Sequence, residues 1–190
     1  MVDRREKFGA RRKFVVIVVI EKIIKTIKNP KHKIMFALMY SAGLRVSEVV
    51  NLKIKDLVLD KNYGFVRNGK GGKDRIFVIS ERLEIPLEFA CLNRNSDDYL
   101  FLTSRNKKYS IRSLQQIVKK SAKKSGIESW EEVHCHTLRH SFATHLIEQG
   151  DCVGDVQAML GHKSPETSLG YIHQSGQMIK IKSPLDNIIL

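Results

Sequence analysis

Acidic residues are in short supply in this chain. Against 33 Lys and Arg stand only 20 Asp and Glu, for a formal net charge of +13 and a pI of about 9.8. Such an imbalance points to a polyanionic partner: DNA, RNA or an anionic membrane face. Cysteine is scarce too. Cys91, Cys135 and Cys152 are an odd number without scaffold spacing, which argues against a disulfide framework and for a reducing compartment. Long apolar runs are missing. The longest candidate, Phe14 to Ile27, is interrupted by Glu21, Lys22 and Lys25 and falls short of the ~20 apolar residues of a membrane span. No small-residue cleavage site follows it, which argues against a signal peptide. Internal repeats and low-complexity tracts are absent. Nothing resembles the sheet-borne stacking aromatics of RNA-binding modules. What is present is a chain of 190 residues, 42% hydrophobic, long enough for one well-buried domain. The expectation is a soluble cytoplasmic protein with no membrane association.

The pattern along the chain predicts a mainly α-helical α+β fold with one small antiparallel sheet. Residues 1–13 form a basic arm carrying Arg4, Arg5, Lys7, Arg11, Arg12 and Lys13. Phe14 to Ile20 is β-branched enough for a strand, and helical spacing follows at Ile23, Ile24 and Ile27. Asn29-Pro30 breaks the chain. His32 to Ser41 reads as a helix stopped by Gly43, and Val46 to Leu52 as a short one. Tyr63–Arg67 and Arg75–Ile79 are β-rich runs around the glycine-rich loop Asn68 to Asp74. Glu81 to Asn93 is a helix candidate interrupted by Pro86. Ser110 caps a helix with apolar positions Ile111, Leu114, Ile117, Val118 and Ala122. Thr137 to Gln149 and Val153 to Leu160 are helical, closed by Gly150 and Gly161. Ser164-Pro165-Glu166 reads as the start of a further helix bearing Tyr171.

Four segments carry the chemistry. They are Ala42-Gly-Leu-Arg-Val-Ser-Glu48, His136-Thr-Leu-Arg-His140, Leu160-Gly-His162 and Tyr171-Ile-His173. Guanidinium forks match phosphate oxygens two at a time, and a tyrosine can carry a covalent phosphoryl intermediate. His136 and Arg139, three apart, share one helical face. Taken singly each has a plain structural reading. Arg45 can pair with Glu48 at the surface, His162 can cap a helix end, and Tyr171 can be core packing. His134-Cys135-His136 invites a zinc reading. Structural zinc sites use spaced pairs that converge on a tetrahedron, so Cys135 is read as a small packing residue and no metal is expected.

Together these segments resemble the catalytic domain of tyrosine recombinases, the integrase family that includes Xer recombinases, integron integrases and lambda-type phage integrases. The run from His136 to Leu146 is especially similar to the second-arginine box of Xer and integron enzymes. The resemblance covers roughly Asn29 to the C-terminus. It implies the tyrosine recombinase catalytic-domain fold. It also implies phosphodiester cleavage by Tyr171 through a 3′-phosphotyrosyl intermediate, with Arg45, Arg139 and His162 on the scissile phosphate and His136 either donating to a non-bridging oxygen or assisting proton movement to and from Tyr171. Glu48 is expected to support Arg45. Gly69-Lys70-Gly71-Gly72-Lys73 matches the family's hairpin pattern and makes Lys73 the implied general acid. Lys70, Arg67, Arg75, His140 and Lys163 are expected DNA contacts. No cofactor is implied.

The implied division is a basic arm and apolar linker over 1–28, a catalytic domain over 29–175 and a tail helix over 176–190. Full-length Xer-like enzymes carry a further helical domain ahead of the catalytic one. The chain is therefore read as an excised catalytic fragment or a naturally small recombinase. The apolar tail from Ile179 to Leu190 implies a tetramer on double-stranded DNA and a monomer without it. Its docking, into a neighbouring protomer or back onto its own, stays open. Two other functions are compatible with the charge and chemistry: type IB topoisomerase-like relaxation, and a DNA-binding regulator with an inactive site.

Overall fold

The computed structural model describes residues 18–67, 69, 74–161 and 183–187. Seven α-helices and a three-stranded sheet make up most of it. Helix α1 (18–26) places Ile20, Ile23 and Ile24 in the core, and Ile27 joins them just past its end. The β-branched run predicted a strand or linker here. Three and four residue spacing of these isoleucines buries one helical face instead, and packing overrides intrinsic β preference. Residues 18–27 are thus part of the domain body, which corrects the linker expected over 1–28 for these positions.

Asn29 caps helix α2 (Pro30–Ser41), accepting from the Lys31 and His32 amides at 2.9 and 3.3 Å. Pro30 occupies the first turn, where its missing N–H costs nothing. Helix α2 is buried without interruption from Ile34 to Ser41, as expected of a helix apolar all round. It is the axis on which α3 (Val46–Asn51), α4 (Glu84–Cys91) and α6 (Cys135–Glu148) pack.

Strands β1 (Leu57–Val58), β2 (Tyr63–Val66) and β3 (Arg75–Val78) form an antiparallel sheet in that order. The β2–β3 register pairs Phe65 with Ile76 and Val66 with Arg75. Pro86 does not break α4, because it falls in that helix's first turn, where no intrahelical N–H bond is lost. Ser110 caps α5 (Ile111–Lys124), its Oγ accepting from the Ser113 amide at 3.0 Å. A satellite cluster of Phe142, Leu146, Val156 and Leu160 joins α6 to α7 (Val153–Met159).

The tail is described only over 183–187, where Pro184–Asn187 forms a 3₁₀ turn. Leu185 is fully buried in the main core of its own chain. Ser183 Oγ donates to the Ser41 carbonyl at 2.9 Å, and Ser80 Oγ to Asp186 Oδ1 at 2.5 Å. The remainder of the expected tail helix lies outside the described residues. Among the described residues, no helix is long and apolar enough to cross a membrane.

Candidate active site

Helix α2 is capped at Ala42, whose amide donates to the Leu38 carbonyl at 3.1 Å, and Gly43 turns the chain with φ +59°. That left-handed conformation suits glycine. Space demands it too: a Cβ on Gly43 would sit 2.5 Å from Phe142 Cδ1 of α6. Leu44 is buried, which directs the next residue, Arg45, to the N-cap of α3. Glu48 stands at the third helical position and reaches back, accepting the Arg45 amide at Oε2 (2.7 Å) and its Nη1 at Oε1 (2.8 Å). This is the acidic half of a capping box. The ion pair that spacing alone suggested does exist, but Glu48 is buried rather than solvated.

Two more arginines converge on that carboxylate. Arg75, at the start of β3, donates Nη2 to Glu48 Oε2 at 2.6 Å and Nη1 to the Met159 carbonyl at 2.8 Å. Arg139 on α6 brings Nη1 to 3.9 Å from Glu48 Oε2. It also donates to the Gly43 carbonyl, and from Nη2 to the Leu160 carbonyl at 2.5 Å. Three guanidiniums therefore share one carboxylate, leaving two positive charges uncompensated within the cluster.

Burial tends to raise the Glu48 carboxyl's pKa. The charge of Arg75 and the bonds from Arg45 and Arg75 outweigh it, holding Glu48 below the usual carboxylate range. Arg139 is pushed down to about 10, chiefly by burial and then by the charges of Arg75 and Arg45, with Glu48 opposing. It remains cationic at neutral pH. Exposure grades the three: the side chains of Arg75, Arg139 and Arg45 are 4%, 11% and 23% accessible. Arg45 opens into a cleft of about 410 Å³ lined also by Ser47, Asn51, Asp56, Arg67 and Gly69. A site with excess positive charge behind an open cleft suits an anion.

Arg67 is half-exposed at this cleft, pairing with Asp56 at 2.8 Å and lying over the Phe65 ring at 5.5 Å. His136 is exposed in the first turn of α6, one turn before Arg139, and His140 is exposed on the same helix. His134 is exposed as well, whereas Cys135 faces inward, its thiol pushed up to about 11 by burial. His145 is buried, with Nδ1 2.7 Å from the Tyr40 hydroxyl. Among the described residues, no three His, Cys, Asp or Glu side chains group as metal ligands. Lys70, Lys73, His162, Lys163 and Tyr171 lie outside the described residues.

Arg75 calls for a correction. Its sequence position suggested a DNA contact, yet it is only 5% exposed and spends its Nη donors on Glu48 and Met159. Its strand, Arg-Ile-Phe-Val, is buried at all four positions. A charge inside such a strand needs a buried partner, and that was the signal available in the sequence. The backbone acceptors of Arg139 left no such signal.

The geometry belongs to a known class: the chain is a member of the phage integrase family, whose pattern matches residues 16–178. Among particular relatives, tyrosine recombinase XerA of Pyrococcus horikoshii is 40% identical over 156 residues, 80% of this chain and 53% of that protein. XerA of Pyrococcus furiosus is 39% identical over 168 residues, 85% of this chain and 57% of that protein. The crystal structure of XerA recombinase superimposes with a TM-score of 0.69 at 30% identity, covering 83% of this chain and 58% of that one. The XerH recombinase bound to its difH substrate before cleavage gives 0.64 at 27% identity, covering 78% and 47%. The chain spans about half the length of the curated relatives it matches.

Proposed function

We propose that this chain is the catalytic part of a site-specific DNA recombinase that cleaves and rejoins double-stranded DNA through a phosphotyrosyl bond. The observation that carries the reading is the cluster of Arg45, Arg75 and Arg139 around the single carboxylate of Glu48, with Arg45 facing the open cleft. Arg45 and Arg139 bind the non-bridging oxygens of the scissile phosphate. Glu48 fixes the rotamer of Arg45, and the carbonyls of Gly43 and Leu160 fix that of Arg139. Charge that builds on the pentacoordinate transition state then meets donors already in place, with no reorganisation at the moment of reaction.

The Tyr171 oxygen attacks phosphorus. A new P–O bond to tyrosine forms as the bond to the 5′ oxygen breaks. His136 takes part in moving the phenolic proton, His162 donates to the phosphate, and Lys73 protonates the departing 5′ oxygen as general acid. A 5′-hydroxyl from a partner strand reverses these steps. The phosphodiester energy is kept in the intermediate, so nucleotide hydrolysis has no part. Arg67, Lys70, His140 and Lys163 contact the DNA around the site, where phosphate contacts position the duplex. Strand exchange between two duplexes implies a tetramer on DNA. Similarity to recombinases favours exchange over relaxation of a single duplex.

The deciding experiment is a nicked suicide duplex, selected from a randomised pool by covalent capture and resolved on a denaturing gel. A stable protein–DNA adduct that retains a 3′ phosphate linkage supports the reading. Failure of the wild-type chain to form an adduct across the pool overturns it.

A further inference from the structure

We infer that Arg75 is a positioning residue of the phosphate site, acting chiefly through Glu48 on Arg45, with a secondary hold on the Met159 carbonyl at the end of α7. The inference rests on the reading of Arg45 and Arg139 as phosphate-binding groups.

A buried ion pair is a weak source of stability, because desolvation of both charges offsets much of their attraction. The position of Arg75 makes sense by what it orders. Its Nη2 occupies Glu48 Oε2 at 2.6 Å, the same oxygen that accepts the Arg45 amide at 2.7 Å. The carboxylate plane is thereby fixed, and Oε1 is left to hold the Arg45 guanidinium at 2.8 Å. Without Arg75, Oε2 still has the Arg139 guanidinium within reach, at 3.9 Å. Glu48 would then turn toward Arg139 and compete with the phosphate for its donors. Arg75 keeps the carboxylate on Arg45 and off Arg139.

The second arm reaches α7. Arg75 Nη1 holds the Met159 carbonyl at 2.8 Å, and Arg139 Nη2 holds the next carbonyl, Leu160, at 2.5 Å. Gly161 follows at φ +74°, and a Cβ there would lie 2.9 Å from Arg75 Cδ. Two arginines from different elements thus grip consecutive carbonyls, one residue short of the Gly161-His162 pair. Arg75 itself is too buried to touch DNA, so its influence has to pass through these contacts.

The test uses single-turnover adduct formation on the selected nicked duplex, with DNA affinity measured in parallel, well below each variant's melting temperature. Arg75→Met should slow adduct formation roughly tenfold to a hundredfold, the scale of losing a partner that orients an active-site group. DNA affinity should change by less than about threefold, because the loss falls in the chemical step. Arg75→Lys keeps the charge but cannot span both acceptors, and should recover part of the rate. The decisive comparison is with Glu48→Gln. If Arg75 works through Glu48, Arg75→Met in that background should cost less than about threefold. Rate losses that multiply in the double variant, or an equal loss of DNA affinity, overturn the inference. Should Arg75→Met not fold, Arg75→Lys decides by itself: wild-type rates overturn the inference, slowed chemistry with intact binding supports it. A wild-type chain that forms no adduct on any duplex brings down the recombinase reading and this inference together, whereas a wild-type adduct with indifferent Arg75 variants brings down only the inference.

Discussion

Arg139 donates through Nη1 to the carbonyl of Gly43, a residue 96 positions earlier in the chain. The turn that presents Arg45 and the helix that presents Arg139 are therefore joined directly, main chain to guanidinium. Gly43 can take this position because it tolerates a positive φ and has no Cβ to strike Phe142.

Arg139→Lys should be severely impaired. An ammonium group is a point charge and cannot bond two carbonyls while offering a planar fork to phosphate. Single-turnover cleavage should drop by at least about a hundredfold, the scale of losing one transition-state donor. Near-normal cleavage would remove Arg139 from the phosphate site.

Tyr171→Phe should abolish covalent attachment and leave DNA binding close to wild type, since only the attacking oxygen is lost. A denaturing gel for adducts and a mobility-shift titration check the two halves. Adducts at wild-type levels would assign the nucleophile elsewhere.

Gly43→Ala should destabilise the fold by about 1–3 kcal/mol, the usual cost of forcing an extra carbon into a packed site. Left-handed backbone strain adds to this. Urea denaturation reads the loss directly. An unchanged midpoint would mean the turn relaxes without Phe142 resisting.

Stability should also report on Glu48. Its folded pKa is lowered from 4.5, so its contribution is present above that value and lost as pH falls through the folded one. The stability gap between wild type and Glu48→Gln should hold steady from pH 8 to 6 and shrink below about pH 4.5, where the unfolded carboxylate begins to take up protons. A gap that widens on acidification would contradict the assignment of the shift to the arginine cluster.

Leu185→Ala should cost about 2–5 kcal/mol, as for other buried leucines. If residues 183–187 instead belong to a neighbour's surface in solution, the substitution should weaken assembly on DNA and spare the melting temperature. Calorimetry paired with analytical ultracentrifugation distinguishes the two.

Much of this was readable from the residues. The Ser110 cap, the helix stops at Gly43 and Gly161, and the two long strands follow from local chemistry that the tertiary structure did not override. The pairing of Arg45 with Glu48 follows from three-residue spacing at a helix start. Other features needed the third dimension. Residues 18–20 have strand-like composition, but their side chains are claimed by a core that only distant elements complete. Arg75 looked like a surface cation beside a basic loop. Its burial depends on Glu48 and α7, which flank β3 on either side in the sequence and meet at Arg75. The acceptors of Arg139 are carbonyl oxygens, which every residue carries, so no side-chain pattern marks them.

The burial of Leu185 bears on the order in which the molecule is made. Helix α2 is synthesised well before Leu185, which shares its core yet lies 144 positions after Ser41 (185 − 41), so that core cannot close until this later stretch has followed. A nascent or prematurely terminated chain that stops short of Ser183 would carry every proposed catalytic residue on a body with an unsealed interior. A body left open in this way would be drawn toward proteolysis, so residues 183–187 set the shortest chain on which the proposed site can rest on a closed core.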